Sequence, residues 1–472
     1  MQIRSMFFKA NASSALANPV LQGNLRTSKG KFVDKRRTAV ADFEAEGADF
    51  EAMRTAAAEV RNLVLKDLDL WLEKFETAAT ARGATVLWAK DGDEICRHVV
   101  DIARRHSVRK AVKSKSMLSE EAGLNQALEA SNVQPVETDL GEYILQINNN
   151  EPPSHIIAPV IHKSLDEVAD LFEKTHKKPR KTEIPELTRE AREALRQHFL
   201  DADMGISGGN FLVAETGSVA LVTNEGNGRM VTTLPRVHVV VTGIEKVIPT
   251  LEDLSLLLRV LIRSATGQHI SNYVSLLTGV KQPDEHDGPE HLYFILVDNG
   301  RADLVASEFQ DMLRCIRCGA CMNHCPVYQT IGGHAYGWVY PGPMGSVLTP
   351  LYNGLDKAID LPHAATLCNQ CGVVCPVKIP LPELLRKLRE KQVDKNLRPW
   401  LERIALKGWA WVAGKPKLYA LGTWFGVRYL NWLAGGKDRI GVLGVAPEWT
   451  LGRDFPAPEG KTFRELYARR KR

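Results

Sequence analysis

At 472 residues the chain is long enough for two or three domains. Its composition, 44% hydrophobic and 25% charged, is that of an ordinary globular protein, and a net charge of +5 is too small to mark a nucleic-acid binder. No window holds the roughly 18 apolar residues of a membrane span; the best stretch, 418–433, is broken by Gly422, Arg428 and Asn431.

Residues 1–44 read as a basic arm, with Arg26, Lys29, Lys31, Lys35, Arg36 and Arg37 close together. It lacks the apolar core of a secretion signal, and cysteine usage suits a reducing cytoplasm. The arm is expected to lie against the protein or a partner, with anionic lipid as a further reading. Residues 40–82 have helical spacing. From 85 onward short apolar runs (85–89, 110–113, 133–137) alternate with amphipathic helices through Ile102 and Leu128. That alternation predicts an α/β domain over 45–300 with a mainly parallel sheet. The polar stretch 175–186 reads as a loop. The pattern resumes at 211–214, 219–222 and 237–241, and a proline-rich loop at 281–289 precedes a last strand at 292–298. Cys96, alone in a helical stretch, reads as a buried thiol.

A second domain, 305–385, holds the other seven cysteines. Cys315, Cys318, Cys321 and Cys325-Pro326 follow the C-x2-C-x2-C-x3-C-P pattern of bacterial ferredoxins. Cys368, Cys371 and Cys375-Pro376 repeat its ending, but Ala365 stands where the first cysteine belongs. In two-cluster modules the fourth cysteine of each run ligates the other run's cluster. Cys315, Cys318, Cys321 and Cys375 are therefore expected to hold one 4Fe–4S centre, and Cys325, Cys368 and Cys371 a second, one thiolate short. The second is then a 3Fe–4S cluster, a 4Fe–4S cluster with water, hydroxide or substrate on the open iron, or one completed by a nearby side chain such as His363. Zinc has no use for a third cysteine at this spacing. The final segment, 386–472, carries six of the nine tryptophans among Lys and Arg. It reads as a small, mainly helical domain, as a docking surface for a partner subunit, or as a seat on a membrane surface.

Within the α/β domain, three stretches are rich in Gly, Ser, Thr and acids: 113–121, 137–142, and 203–229 in pieces. None is a Walker loop or a dinucleotide fingerprint. They suit a small-anion site at strand ends, with Lys113, Lys115 and Arg229 as candidate cations and Glu215 and Asp203 as candidate acids or bases. His155 and His162 read as structural.

The motifs KSKSMLSEE, ETDLGEYILQI, PSHIIAP, AETGSVALVTNEGNGR, GIEKVIPT and SATGQ, with CIRCGACMNHCPVY and CGVVCPVKIP behind them, resemble the LutB/YkgF family, the iron–sulfur proteins of bacterial lactate-utilisation operons. The resemblance covers about 45–465. It implies a LUD domain similar to the NagB/RpiA/CoA-transferase group, a two-cluster ferredoxin-type module and a C-terminal domain peculiar to the family. It also implies a part in oxidising L-lactate to pyruvate beside two sister proteins, one cysteine-rich and one a lone LUD protein, and it makes the gap at Ala365 a family trait. Clusters take electrons singly, so the hydride of lactate needs a flavin or an equivalent acceptor. No flavin or NAD motif is recognisable, which assigns that acceptor to a partner, with a quinone-linked acceptor beyond it. Two other functions stay open: a LUD domain that itself binds lactate or an acyl thioester, and a redox-sensing scaffold. The expected location is the cytoplasm or the inner face of the cell membrane.

Overall fold

The computed structural model describes residues 3–444, 447–450 and 453–470, apart from the side chains of Lys29 and Glu448. Ten strands form two sheets in the first 300 residues: β1 (Thr85–Ala89), β2 (Lys110–Lys113), β3 (Gln134–Glu137), β4 (Met204–Ser207), β5 (Phe211–Val213), β6 (Ser218–Thr223), β7 (Val237–Gly243), β8 (Val247–Ile248), β9 (Tyr273–Leu277) and β10 (His291–Val297). The main sheet runs β1-β10-β7-β4-β2-β3, with every neighbouring pair parallel. A second, mixed sheet runs β8-β5-β6-β9.

The apolar run of β10 shows why the main sheet is central. Leu292, Phe294 and Leu296 face the helices Phe50–Lys66 and Leu68–Ala81 and the second sheet, packing with Val64, Phe75 and Val219. Tyr293, Ile295 and Val297 face the opposite way, onto the helix Gly92–Arg105 through Ile95, Val99 and Ile102. A parallel strand covered on both faces reads as a continuous hydrophobic run rather than an alternation. Asp91 starts the covering helix by accepting the amide of Glu94.

Several expectations change here. The runs 211–214 and 219–222 do not extend the parallel sheet; they are an antiparallel pair in the second one. Residues 204–207, expected as a glycine-rich loop, are the buried strand β4 between β2 and β7. Gly205 makes that strand resemble a loop in sequence. A Cβ there would meet the Val231 carbonyl at 1.9 Å, so the helix Asn227–Thr233 closes on the strand only because glycine stands there. The helix expected through Leu128 is two, Met117–Ala122 and Leu124–Ala130, broken at Gly123 with φ 70°. The 175–186 loop shrinks to the segment between the helices Leu165–His176 and Ile184–Leu200.

The basic arm is helical, with helices Phe8–Ala17, Pro19–Lys29 and Lys35–Ala45. It clamps the cysteine-bearing region: the Arg4 amide bonds Gly337 O, Ser5 Oγ donates to Tyr336 O and Gln22 Nε2 to Thr330 O. The chain divides after Lys391 into two compact units. The second contains the helices Trp400–Ala413 and Pro416–Ala434 and a two-residue strand pair. Its tryptophans do not make a core. Trp400, Trp409, Trp411, Trp432 and Trp449 are more than half exposed, and Lys415, Arg428 and Arg453 lie over the rings of Trp411, Trp424 and Trp449. No helix among the described residues is long and apolar enough to cross a membrane.

His238 on β7 is buried and bonded to Ser207 Oγ at 2.8 Å, and burial pushes its imidazole down from 6.5 to about 3. The unfolded chain takes up this proton below about pH 6.5 and the folded chain does not until about pH 3. The stability is therefore fully present above 6.5 and lost as pH falls through that window, with a slope near 1.4 kcal/mol per pH unit for one proton. Urea midpoints of His238→Gln should show a flatter acid limb than the parent; identical limbs would assign the loss elsewhere.

Candidate functional site

The two cysteine runs fold alike. In the first, Arg317 (φ 59°) and Gly319 (φ 75°) are left-handed on either side of Cys318, and a short helix Ala320–Asn323 leads to Cys325. In the second, Leu367 (φ 56°) and Asn369 (φ 63°) flank Cys368, and the helix Gln370–Val373 leads to Cys375. Left-handed backbone costs a non-glycine residue about 1 kcal/mol or more, so each run holds its loop against a local preference. The second run keeps this geometry although Ala365 lacks a thiol.

None of the eight cysteines is in a disulfide. Cys315, Cys318, Cys321 and Cys375 line one small cavity walled by Met312, Ile316, Met344, Val377, Ile379 and Leu381. The amides of Arg317 and Ile379 point at Cys315 Sγ and Cys375 Sγ, both at 3.4 Å. The thiols also bear on one another. Burial raises Cys318, and Cys375 and Cys315 add to it; burial raises Cys371 to about 12, with Cys325 and Cys368 adding. Burial raises Cys321 as well, with Cys318, Cys315, Cys371 and Cys375 adding in that order. Cys368 is exposed, and the hydroxyl of Thr366 holds it below the usual thiol range. An apolar cage with four convergent sulfurs and inward N–H donors fits a cuboidal iron–sulfur cluster.

Cations gather behind the first set. Arg54 donates to Cys375 O at 3.0 and 2.7 Å and Arg36 to Val374 O at 3.2 Å. Lys246 reaches Cys315 O at 3.5 Å. The PSHIIAP segment buttresses the first run from the other side: His155 bonds Asn323 at 2.8 Å and accepts the amides of Ile157 and Ala158. His155 is thus structural, held neutral by burial at about 4. His162 pairs with Glu151, which Lys163 also holds. Cys96 is half-buried and donates to Ala122 O. His363 is the exposed residue of the 3-10 turn Leu361–His363, whose Leu361 and Pro362 are buried.

The anion-site candidates separate. Lys113 is sealed in the core with Glu137, Asn125 and Glu120; burial opposes its charge, but Glu137 and Glu120 outweigh it and hold the ammonium charged. Glu215 caps the helix Leu251–Thr266 by accepting the Leu251 amide, and Asp203 accepts the amides of Arg109 and Lys110. Arg229 lies over the Tyr273 ring and bonds Ser275 Oγ. Of the five, Lys115 lines the cavity at the main sheet's carboxyl edge.

That cavity, about 330 Å³, opens at the carboxyl ends of β2, β4 and β7, where ligands bind in parallel α/β sheets. The expected loops do meet there, through Ser114–Ser116 positions 114–116, Gly208, Gly209, Thr223 and Glu225. Sequence reading missed its other wall: Thr242, Glu245, Lys246, Arg301, Arg317 and Tyr340. Lys246 lay inside GIEKVIPT and Arg317 between two cysteines, but no spacing rule ties either to a cavity 100 residues or more away in sequence from Lys115. The walls differ in charge. Burial and Asp139 lift the Glu225 carboxyl to about 6, while Arg301, Lys246 and Arg317 overcome burial to hold Glu245 down at about 2.

Lys113→Ala strands buried Glu137 and should cost about 3–5 kcal/mol. Lys115→Ala removes an ammonium that stands 3.7 Å from Glu142 with no hydrogen bond to it, so it should cost clearly less than Lys113→Ala. Urea denaturation of both variants checks this; equal shifts would contradict the structural role given to Lys113.

Three family models match the sequence: the LUD domain over 72–297, the 4Fe-4S dicluster domain over 311–379, and the lactate utilisation protein B C-terminal domain over 384–472. Lactate utilization protein B of Bacillus licheniformis is 42% identical over 475 residues, covering 100% of this chain and 98% of that one. The Bacillus subtilis protein of the same name is 42% identical, with the same coverage. The Escherichia coli protein named uncharacterized electron transport protein YkgF is 40% identical, covering 98% and 96%. Among solved structures, a DUF162 family protein from Deinococcus radiodurans aligns at 13% identity over 49% of this chain and 98% of that one, with a TM-score of 0.27, too low to locate a site. The chain belongs to the lactate utilization protein B family, with a LUD domain, a 4Fe-4S dicluster domain and the family's own C-terminal domain in that order.

Proposed function

We propose that the chain is the iron–sulfur electron-transfer protein of an L-lactate utilisation complex, in which L-lactate is oxidised to pyruvate. The observation that carries this is the meeting of Cys375, from the second run, with Cys315, Cys318 and Cys321 in one closed cavity. In this reading those four thiolates hold one 4Fe–4S centre, and Cys325, Cys368 and Cys371 hold a second with three protein sulfurs. Such centres pass electrons singly, which suits a relay that splits an electron pair. The chain's own residues supply the rest. Arg36, Arg54 and Lys246 set positive charge behind the first centre, Met312, Ile316, Met344 and Leu381 wall it, and the PSHIIAP segment braces the first run through His155.

The hydride acceptor, a flavin or its equivalent, belongs in this reading to one of two sister proteins, with a quinone-linked acceptor beyond it. The LUD domain is read as a relative of the NagB/RpiA/CoA-transferase group, supported by its parallel sheet and the cavity at the strands' carboxyl ends. That cavity favours a second reading, in which the LUD domain binds substrate itself. The exposed tryptophans and cations of 392–472 favour docking, on a sister protein or at the inner membrane surface, over self-packing.

Iron and sulfide analysis with EPR, on anaerobically purified protein, tests the assignment. Cys375→Ser should damage the centre of the first run and spare the other; the reverse pattern would show that each run serves its own cluster. Ala365→Cys should slow iron loss in air relative to the parent. Equal rates and equal signals would mean that the fourth position of the second centre is already filled, with Thr366→Val and His363→Ala then showing by which side chain.

A further inference from the structure

Arg317, largely covered, and Lys246, buried, form a cationic wall between the LUD cavity and the first cysteine run, and their donors are weakly used. The contacts of Arg317 are Met344 Sδ at 3.5 Å, Glu245 Oε1 at 3.7 Å and the Tyr340 ring at 4.6 Å. Lys246 has Cys315 O at 3.5 Å. None is a charge-assisted hydrogen bond, which falls at about 2.7–2.9 Å. Arg301 shows the contrast: it is satisfied by Glu245 at 2.8 Å, Glu121 at 2.9 Å and Asp298 O at 3.0 Å. Glu245 bonds Arg301 directly and meets Arg317 only at 3.7 Å, so one carboxylate is shared among three cations. Thr242 Oγ1, on the same wall, is buried without a hydrogen-bond partner. Lys115 Nζ, across the same cavity, is likewise buried without a hydrogen-bond partner, and donors left unused or weakly used away from water are costly.

We propose that this cavity binds a short-chain monocarboxylate, its carboxylate on Arg317, Lys246 and Thr242 and its carbon end toward Ile156 and Leu221. Arg317 presents the planar fork that carboxylates fit. The far wall carries Asp139 and Glu225. With Lys115 beside Glu225 these two acids still outnumber the cation on that wall, so a second anionic end is disfavoured and the site selects one anionic head over a polyphosphate or a dicarboxylate. The amide of Arg317 is 3.4 Å from Cys315 Sγ, so a carboxylate on its side chain places a negative charge one residue's reach from the first thiolate set. The ligand site is thus shared: the LUD sheet supplies Thr242 and Lys246, and the cysteine module supplies Arg317. This deepens the lactate-utilisation reading, which it uses for the choice of probes.

The test uses full-length, anaerobically purified protein, with calorimetric titration of L-lactate, pyruvate, succinate, inorganic phosphate and coenzyme A. EPR of the dithionite-reduced protein is recorded with and without pyruvate. L-Lactate or pyruvate should bind saturably, and pyruvate should alter the reduced-cluster signal. Lys246→Met and Arg317→Gln should weaken binding at least tenfold with iron content unchanged, and Thr242→Val about fivefold, while Arg229→Ala binds as the parent does. If Arg317→Gln loses iron, Lys246→Met and Thr242→Val decide. Absence of monocarboxylate binding, unchanged affinity in those two variants, or preference for succinate, phosphate or coenzyme A overturns the proposal. Absence of iron–sulfur clusters from the parent protein would instead sink the electron-transfer reading, and calorimetry would still judge the cavity.

Discussion

One buried guanidinium joins the parts of the first unit. Arg61, on the helix Phe50–Lys66, donates to Val247 O at 2.9 Å, to Leu313 O at 3.1 Å and to Glu245 O. Those three carbonyls belong to the second sheet, the approach to the first cysteine run and the cavity wall. A fully buried cation can be held only where the surrounding chain turns its carbonyls inward. The register of helix, sheet and cysteine loop is therefore set together. Burial lowers Arg61 only to about 10, so it stays charged throughout the physiological range.

This arrangement makes the LUD domain and the cysteine module one electrostatic object. Arg61, Lys246 and Arg317 press toward Cys315, while Arg36 and Arg54 approach from the side of Cys375. Thiolates and sulfides concentrate negative charge, and a cage without such cations would disfavour it at low dielectric. The second set has a different setting: Cys368 is exposed and steadied by a neutral hydroxyl from Thr366.

How much of this could be read from the chain depended on range. The cysteine spacing is local chemistry, and it pointed to the residues that converge. The strands 85–89, 110–113 and 292–298 were legible because parallel core strands are dense in apolar residues. β4 was not, because Gly205 and Ser207 answer to contacts with Val231 and His238 that lie 26 and 31 positions on. For the site, the glycine-rich loops were legible as loops that gather at strand ends. Which cation faces the cavity was not. Lys113 and Lys115 are two residues apart on a strand and its extension, yet the first is locked on Glu137 and the second lines the cavity. Arg229 and Glu215 looked equally apt in sequence and are spent on a tyrosine ring and a helix end.

The matched backbones of the two cysteine runs carry a consequence for how such a protein can change. Leu367 and Asn369 keep the left-handed turns of Arg317 and Gly319, and Gln370–Val373 keeps the helix of Ala320–Asn323. The second loop has not decayed around its missing sulfur. Residue 365 is held through its backbone, its carbonyl accepting from Arg389 at 3.0 Å. A thiol and a methyl at 365 differ by one side chain on a loop whose backbone turns match those of the complete run, so sulfur content and loop shape can change separately along a lineage.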